Sequence, residues 1–137
     1  MLRKDAKIEL LKRVPLFSDC SKMELQRIAR LADELSLPAG RQLTKEGARG
    51  QEFVVLAKGR AEVRRKGRRL RELSGGDFLG EIALVADVPR TATVTTLTPV
   101  DVLVLTGRDF RTLLRDTPSL QPKVLFALAS RVPPEFQ

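Results

Sequence analysis

The chain has 137 residues with a formal net charge of +8, and 42% of its residues are hydrophobic while 31% are charged. This length accommodates one domain with one core, and this composition argues against a disordered chain. The sequence contains no histidine, so it lacks the commonest general base and the nucleophile pairs that depend on histidine. With a single cysteine as well, it lacks the usual zinc ligands. We therefore expect a binding module rather than an enzyme, and no bound metal.

Three features of the sequence bear on where the protein is located in the cell. The segment MLRKDAKIELLKR is charged throughout and lacks the apolar core of a signal peptide. No run of about 18 apolar residues occurs, so no transmembrane segment is expected. The lone Cys20 cannot form an internal disulfide, which fits a reducing compartment. We predict a cytoplasmic protein in which Cys20 is a packing residue near a helix start.

Residues 1 to about 35 are predicted to be helical, with a break around residues 14–17. Ser21 begins a capping-box pattern, in which its hydroxyl accepts from an amide one turn on and Glu24 reaches back to the Ser21 amide. Apolar residues then recur at helical spacing: Leu25, Ile28, Leu31 and Leu35.

Residues 36–106 are predicted to form many short strands. Eight of the nine glycines fall between Gly40 and Gly80, mostly at steps that match hairpin turns. The candidate strands are 41–45, 51–58, 60–66, 68–74, 91–97 and 100–106. Short strands with frequent turns are typical of a β-sandwich or barrel, and a jelly roll is the economical choice at this size.

A basic stretch lies within this zone, around a predicted hairpin tip at Gly67. Its six cationic residues are Arg64, Arg65, Lys66, Arg68, Arg69 and Arg71. Such a cluster can contact nucleic acid or an anionic membrane. It can also be a solvated hairpin whose charges protect an edge strand from aggregation. We favour the solvated hairpin.

Residues 107–132 are predicted to return to helix. A second helix in this zone is expected to start near Thr117 and Pro118, because proline suits the first helical turn. Pro122 can delay that start or bend the helix. The chain therefore reads as one α+β domain over residues 1–137, a β-roll of jelly-roll type flanked by N-terminal and C-terminal helices, with a short phosphate-binding helix inside the roll.

The stretch GDFLGEIALVADVPRTATV, residues 76–94, concentrates residues suited to an anion. A short helix beginning near Gly80 aims free backbone N–H groups at whatever precedes it. Gly80 and Ala83 have little or no side chain, so a ligand can approach the backbone closely. Arg90 offers a planar guanidinium for two parallel hydrogen bonds to a phosphate. Glu81 should not face that phosphate and suits a ribose hydroxyl, so the stretch predicts a nucleotide site.

This stretch closely resembles the phosphate-binding cassette of the cyclic-nucleotide-binding domain family. That family includes bacterial catabolite-activator-type regulators, regulatory subunits of cyclic-AMP-dependent kinase, and cyclic-nucleotide-gated channels. The Phe, the Gly-Glu-aliphatic-small-Leu run and the Pro-Arg-Thr-Ala run occur here in the family's order and spacing. The resemblance covers roughly residues 10 to 132 and implies a stand-alone domain of bacterial type.

The resemblance also implies roles for individual residues. Glu81 accepts from the ribose 2′-hydroxyl, Arg90 pairs with the cyclic phosphate, and Thr91 contacts the phosphate or the base. Three residues contribute the backbone amides that complete the cradle: Gly80, Ile82 and Ala83. In the family the last helix folds over the base as a lid, and the candidates here are Leu125, Leu128 and Arg131.

The implied ligand is cyclic AMP, with cyclic GMP as the alternative because Thr91 also suits a guanine contact. We expect a sensor that shifts its trailing helices and acts on an effector protein or a fused domain. The alternative is a nucleotide-responsive regulator that contacts nucleic acid through the basic hairpin, with steep salt dependence. Too few residues follow Arg131 for the helix-turn-helix domain that many bacterial relatives attach there. An enzyme of the cupin type is disfavoured by the absence of histidine.

Overall fold

The structure, a computed structural model, describes residues 3–50, 52–80 and 89–131. Two four-stranded antiparallel sheets pack face to face, and helices from both ends of the chain cover the outer face of one of them. This is a jelly roll with flanking helices, so the predicted α+β class is confirmed. Among the described residues, no helix has both the length and the apolar character needed to cross a membrane.

The N-terminal helices begin and end where local signals place them. The predicted capping box at Ser21 is confirmed, since the Ser21 hydroxyl accepts from the Glu24 amide at 3.1 Å and the Glu24 carboxylate accepts from the Ser21 amide at 2.7 Å. Each such hydrogen bond satisfies an amide that has no partner within the helix. The elements are α1 (Lys4–Arg13), a 3-10 turn (Pro15–Phe17) and α2 (Lys22–Leu31).

Six of the eight strands lie close to the ranges predicted from the glycine-punctuated sequence. They are β1 (Asp33–Leu37), β2 (Gln42–Thr44), β3 (Glu52–Lys58), β4 (Ala61–Arg65), β5 (Arg68–Leu73), β6 (Phe78–Leu79), β7 (Thr93–Thr96) and β8 (Val100–Thr106). One sheet has the order β1-β8-β3-β6 and the other has the order β2-β7-β4-β5. The two-residue strand β6 was not predicted, because two residues are too few to show a period.

The predicted boundary of the first helical zone at residue 35 is wrong. The chain becomes extended at Ala32, with φ −80° and ψ 128°, and residues 33–37 form β1. Leu35 continues the helical spacing of the preceding leucines, yet it pairs with Val102 of β8 and is 47% exposed. Pairing with a strand almost seventy residues away outweighs a local helical pattern. The roll therefore begins at residue 33 rather than at residue 36.

Strand β3 is buried on both of its faces, which explains its unbroken apolar run. Val54 and Leu56 point into the space between the two sheets, whereas Phe53 and Val55 point towards the helices. Successive side chains of a strand face opposite ways, so a strand in a middle layer needs apolar residues at every position. Phe53 lies at the centre of an aromatic group, with its ring centroid 6.0 Å from that of Phe17, 5.7 Å from Phe78 and 4.6 Å from Phe110.

The hairpin between β4 and β5 has a two-residue tip, as the glycine predicts. Lys66 and Gly67 both have positive φ, at 52° and 76°. Two consecutive residues with positive φ form the turn whose twist matches that of paired strands. The register shifts after Val63, so that Leu70 lies at an irregularity and is exposed.

The trailing helices are α3 (Gly107–Asp116), a 3-10 turn (Pro118–Leu120) and α4 (Gln121–Arg131). A 3-10 turn begins at Pro118, where the start of the second helix was predicted, and α4 itself begins only at Gln121. Pro122 lies in the first turn of α4, where a missing amide hydrogen is tolerated. Buried residues of these helices join those of α1 and α2 in one cluster against the outer face of β3 and β8.

Candidate functional site

Gly80 follows β6 and has φ +105°, a conformation that side-chain-bearing residues rarely adopt. A Cβ atom at this position would lie 2.5 Å from the Glu52 carbonyl oxygen and 2.6 Å from Nη1 of Arg90. Both distances are far below van der Waals contact. Gly80 is therefore required by its backbone conformation and by the close approach of Arg90.

Arg90 is the only buried charged side chain among the described residues, with 6% of its surface exposed. Its Nη2 atom donates to the Glu52 carbonyl oxygen at 2.6 Å, and the Glu52 carboxylate lies 3.8 Å away. Burying a guanidinium is costly unless it is hydrogen-bonded and neutralised. A cation kept in such a position is suited to bind an anion.

The main chain of Arg90 is held by the loop formed by residues 45–50. Its amide donates to the Ala48 carbonyl and its carbonyl accepts from the Gly47 amide, each at 2.8 Å. The loop is fixed to the next strand as well, because the Glu46 amide donates to the Thr93 hydroxyl at 3.0 Å. Arg90 thus lies in an irregular segment before β7, which corrects the predicted strand start at residue 91.

The structure brings together only part of the predicted site. Gly80 and Arg90 are in contact range, and Thr91 is half-buried in the bend that follows Arg90. Glu81, Ile82 and Ala83, with the predicted short helix, lie outside the described residues. Of the lid candidates, Leu125 is exposed on α4, and the side chains of Leu128 and Arg131 lie outside the described part.

The sequence of the roll matches a known family model. The model described as the cyclic nucleotide-binding domain matches residues 34–117, which is more than half of the chain. The chain belongs to the cyclic nucleotide-binding domain family. The resemblance found in the sequence is therefore confirmed at the level of the family. The matched range includes all of β1 except Asp33, the strands β2 to β8 and the whole of α3.

Individual proteins similar to this cyclic nucleotide-binding domain come from distant organisms. The cAMP-dependent protein kinase regulatory subunit of Aspergillus fumigatus is 41% identical over 107 residues, which cover 76% of this chain and 26% of that protein. The regulatory domain of Toxoplasma gondii PKA, solved with cAMP, superposes with a TM-score of 0.77 at 26% identity, covering 82% of this chain and 45% of that one. The Thermus thermophilus catabolite activator protein superposes with a TM-score of 0.75 at 26% identity, and the match covers 85% of this chain and 57% of that one.

The residues that the sequence analysis did not assign to the site lie in the loop before β3 and at the first residue of β3. Gly47 and Gly50 were interpreted only as turn glycines, and Glu52 only as the beginning of a strand. All three surround Arg90 in the structure. The one signal in the sequence is a pair of glycines three residues apart directly before a buried strand. That spacing does not indicate which residue the glycines contact.

The basic hairpin of this domain is partly neutralised by its own acidic residues. Arg64 Nε donates to Glu62 at 2.6 Å, Arg60 Nη1 donates to Glu72 at 2.8 Å and Arg69 Nη2 donates to Glu72 at 2.5 Å. The hydrogen bond from Arg60 is the main cause that holds the pKa of Glu72 below its usual value. These ion pairs are exposed to solvent, and each contributes little to stability.

Cys20 packs against the helical cluster, half-buried just before α2, as predicted. Burial raises the pKa of its thiol, and neighbouring carboxylates act in the same direction. A thiol in such surroundings is mostly protonated at neutral pH and is a poor nucleophile.

Proposed function

We propose that this domain is a sensor that binds a cyclic nucleotide, with cyclic AMP as the favoured ligand, and that it regulates rather than catalyses. The observation that carries the proposal is the buried guanidinium of Arg90, which lies close to the backbones of Gly80, just after β6, and of Gly50, before β3. A guanidinium in a fixed, partly dehydrated position binds a phosphate more strongly than a solvated one does.

The roles proposed for single residues follow from chemistry and from the family. Arg90 pairs with the cyclic phosphate, and Thr91 contacts the phosphate or the base. Glu81 accepts from the ribose 2′-hydroxyl. Backbone amides complete the phosphate cradle, and they are contributed by Gly80, Ile82 and Ala83. The carboxylate beside an anion site distinguishes a ribose phosphate from free phosphate.

The preference for cyclic AMP is supported by the relatives. The Aspergillus protein is named a cAMP-dependent kinase regulatory subunit, and the Toxoplasma structure was solved with cAMP. Cyclic GMP remains the alternative ligand, because Thr91 offers a hydroxyl that also suits guanine.

Titration of the purified chain tests the ligand. We expect cyclic AMP to bind with measurable heat in calorimetry and more tightly than cyclic GMP. At about 100 times the dissociation constant, a ligand that binds only the folded state adds about 2.7 kcal/mol of stability, so the melting temperature should rise. Absence of both heat and thermal shift at millimolar cyclic AMP and cyclic GMP would contradict the proposed function.

Ligand binding is proposed to shift the trailing helices, and a chain of contacts supports a route. The Glu52 carbonyl holds Arg90, the next residue Phe53 stacks on Phe110, and Phe110 belongs to α3. A ligand whose phosphate attracts Arg90 changes the position of the β3 backbone, and this change favours one arrangement of α3. The ligand moves this equilibrium only by its differential affinity for the two arrangements.

Hydrogen exchange tests the coupling. With saturating cyclic AMP, amides of α3 and α4 should exchange at rates at least about threefold different from those of the free chain. Amides of β4 and β5, whose buried side chains belong to the core between the two sheets and not to the helical cluster, should change little and act as the internal control. Altered exchange confined to the ligand site would contradict the coupling and leave the binding proposal intact.

The effector is proposed to be another chain or another domain. The chain spans about a quarter of the length of the curated relatives it matches first, at 26%, 28% and 26%. In proteins of that kind a cyclic nucleotide-binding domain is one part of a larger whole, and its output depends on what the other parts do.

A further inference from the structure

Gly50 lies directly against the side chain of Arg90. A Cβ atom built on Gly50 would overlap Nε and Cζ of the guanidinium, at separations that no pair of non-bonded atoms adopts. The side chain of Arg90 therefore passes over the Gly50 main chain with no room for a methyl group. The two residues are forty apart in the sequence, so this contact is purely tertiary.

Gly80 also approaches the guanidinium, at its Nη1 atom. Nη1 of Arg90 lies within 2.6 Å of the position that a Gly80 Cβ would occupy. Gly80 has φ +105°, so any replacement there strains the backbone as well as the contact. Gly50 is not among the residues with positive φ, and its backbone accepts alanine without that strain. Gly50 therefore isolates the effect of the contact with Arg90.

The loop that carries Gly50 has little freedom to move away. Besides its two hydrogen bonds to the Arg90 main chain, it is joined to the tip of the β4–β5 hairpin, where the Lys66 amide donates to the Glu46 carboxylate at 2.9 Å. The Glu46 amide is in turn bonded to Thr93. An added methyl group must therefore displace the more mobile partner, which is the end of the Arg90 side chain.

We infer that Gly50 is a positioning residue for the phosphate-binding arginine: its missing side chain lets the guanidinium lie between two backbones, bonded to Glu52 and directed at the ligand's phosphate. The expected effect of Gly50 on ligand binding rests on the proposed function. The expected effect of Gly50 on the position of Arg90 does not depend on any ligand.

A double-mutant cycle tests the consequence in binding. Gly50→Ala is expected to weaken cyclic AMP binding about 10- to 100-fold, which is part of the loss expected when one partner of a buried charge pair is removed. In an Arg90→Ala background, Gly50→Ala should lower the affinity for cyclic AMP by less than about twofold, because Gly50 acts through Arg90. Adenosine, which has no phosphate, should bind all four variants equally. Losses that add in the cycle would overturn the inference.

A ligand-free measurement separates this inference from the proposed function. The Nε–H resonance of Arg90 can be assigned in ¹⁵N-labelled protein by its loss in Arg90→Ala. It should shift or exchange at least about tenfold faster with water in Gly50→Ala. It should stay in place in Met23→Ala, a control on the surface of α2 where the side chain is 79% exposed. An unchanged resonance in Gly50→Ala overturns the inference whether or not cyclic AMP binds.

Failure of Gly50→Ala to fold would also be informative. If the methyl group clashes with Arg90 alone, the double variant Gly50→Ala/Arg90→Ala removes the clash and should fold, as followed by circular dichroism. If the double variant fails while Arg90→Ala folds, Gly50 has a structural role independent of Arg90 and the inference is wrong.

Discussion

Replacing Arg90 with alanine is expected to weaken cyclic AMP binding by about 2–5 kcal/mol, which corresponds to roughly a 30- to 5,000-fold rise in Kd. The change removes the one buried cation of the described residues and leaves the ligand's phosphate facing backbone groups without a countercharge. Calorimetric titration with cyclic AMP measures the loss. Because a group that is 6% exposed also contributes to packing, thermal unfolding should be recorded for the same variant.

Two further variants make the Arg90 result specific. Arg90→Lys keeps the charge but loses the planar fork, so its affinity should fall between those of the wild type and the alanine variant. Arg111→Ala removes an exposed arginine of α3 and the same unit of net charge, and it should leave Kd within about twofold. An Arg90→Ala protein that is folded and binds cyclic AMP like the wild type would show that the phosphate is held elsewhere.

Replacing Phe53 with alanine is expected to lower the free energy of unfolding by about 3–5 kcal/mol. Phe53 is fully buried and contacts the rings of Phe17, Phe78 and Phe110, which join the 3-10 turn, β6 and α3 to the central strand. The cavity that remains cannot be filled, because each surrounding ring is fixed by another element. A loss of this size is a large share of the ~5–15 kcal/mol typical of a domain.

Urea denaturation followed by circular dichroism measures the effect of Phe53→Ala. Phe53→Leu should cost less, about 1–2 kcal/mol, because most of the buried volume is retained. Met23→Ala on α2 is the surface control, since Met23 is 79% exposed and its change should stay within about 0.5 kcal/mol. A Phe53→Ala loss below about 1 kcal/mol would mean that the aromatic group does not unite the roll with its helices.

Elements specified by neighbouring residues could be predicted from the sequence. The capping box at Ser21 and the hairpin tip at Gly67 each depend on groups within four residues of one another. The strands β3 and β8 could be predicted because burial on both faces leaves a run of apolar residues within each, 53–57 in β3 and 102–105 in β8. In each case the deciding interaction, or the deciding pattern, lies within one short segment.

Elements specified by distant partners could not be predicted in this way. Leu35 follows a helical spacing, yet β1 is a strand because its backbone finds hydrogen-bonding partners in β8. Strand β6 has only two residues and exists through its pairing with β3. The segment before β7 is irregular because the Arg90 backbone pairs with the loop of residues 45–50 instead.

The buried arginine between Gly50 and Gly80 shows the same division within the site. The sequence by itself determined that this chain carries a cyclic-nucleotide cassette, since the order and spacing of residues 76–94 are local, and it named Gly80 and Arg90 as members of the site. Only the tertiary structure decided what surrounds the guanidinium. Gly50 and Glu52 reach Arg90 from a loop and a strand some forty residues earlier, and their contacts depend on two sheets closing on each other. A steric requirement between residues so far apart leaves no period, cap or motif in the sequence, because it exists only when the backbones meet.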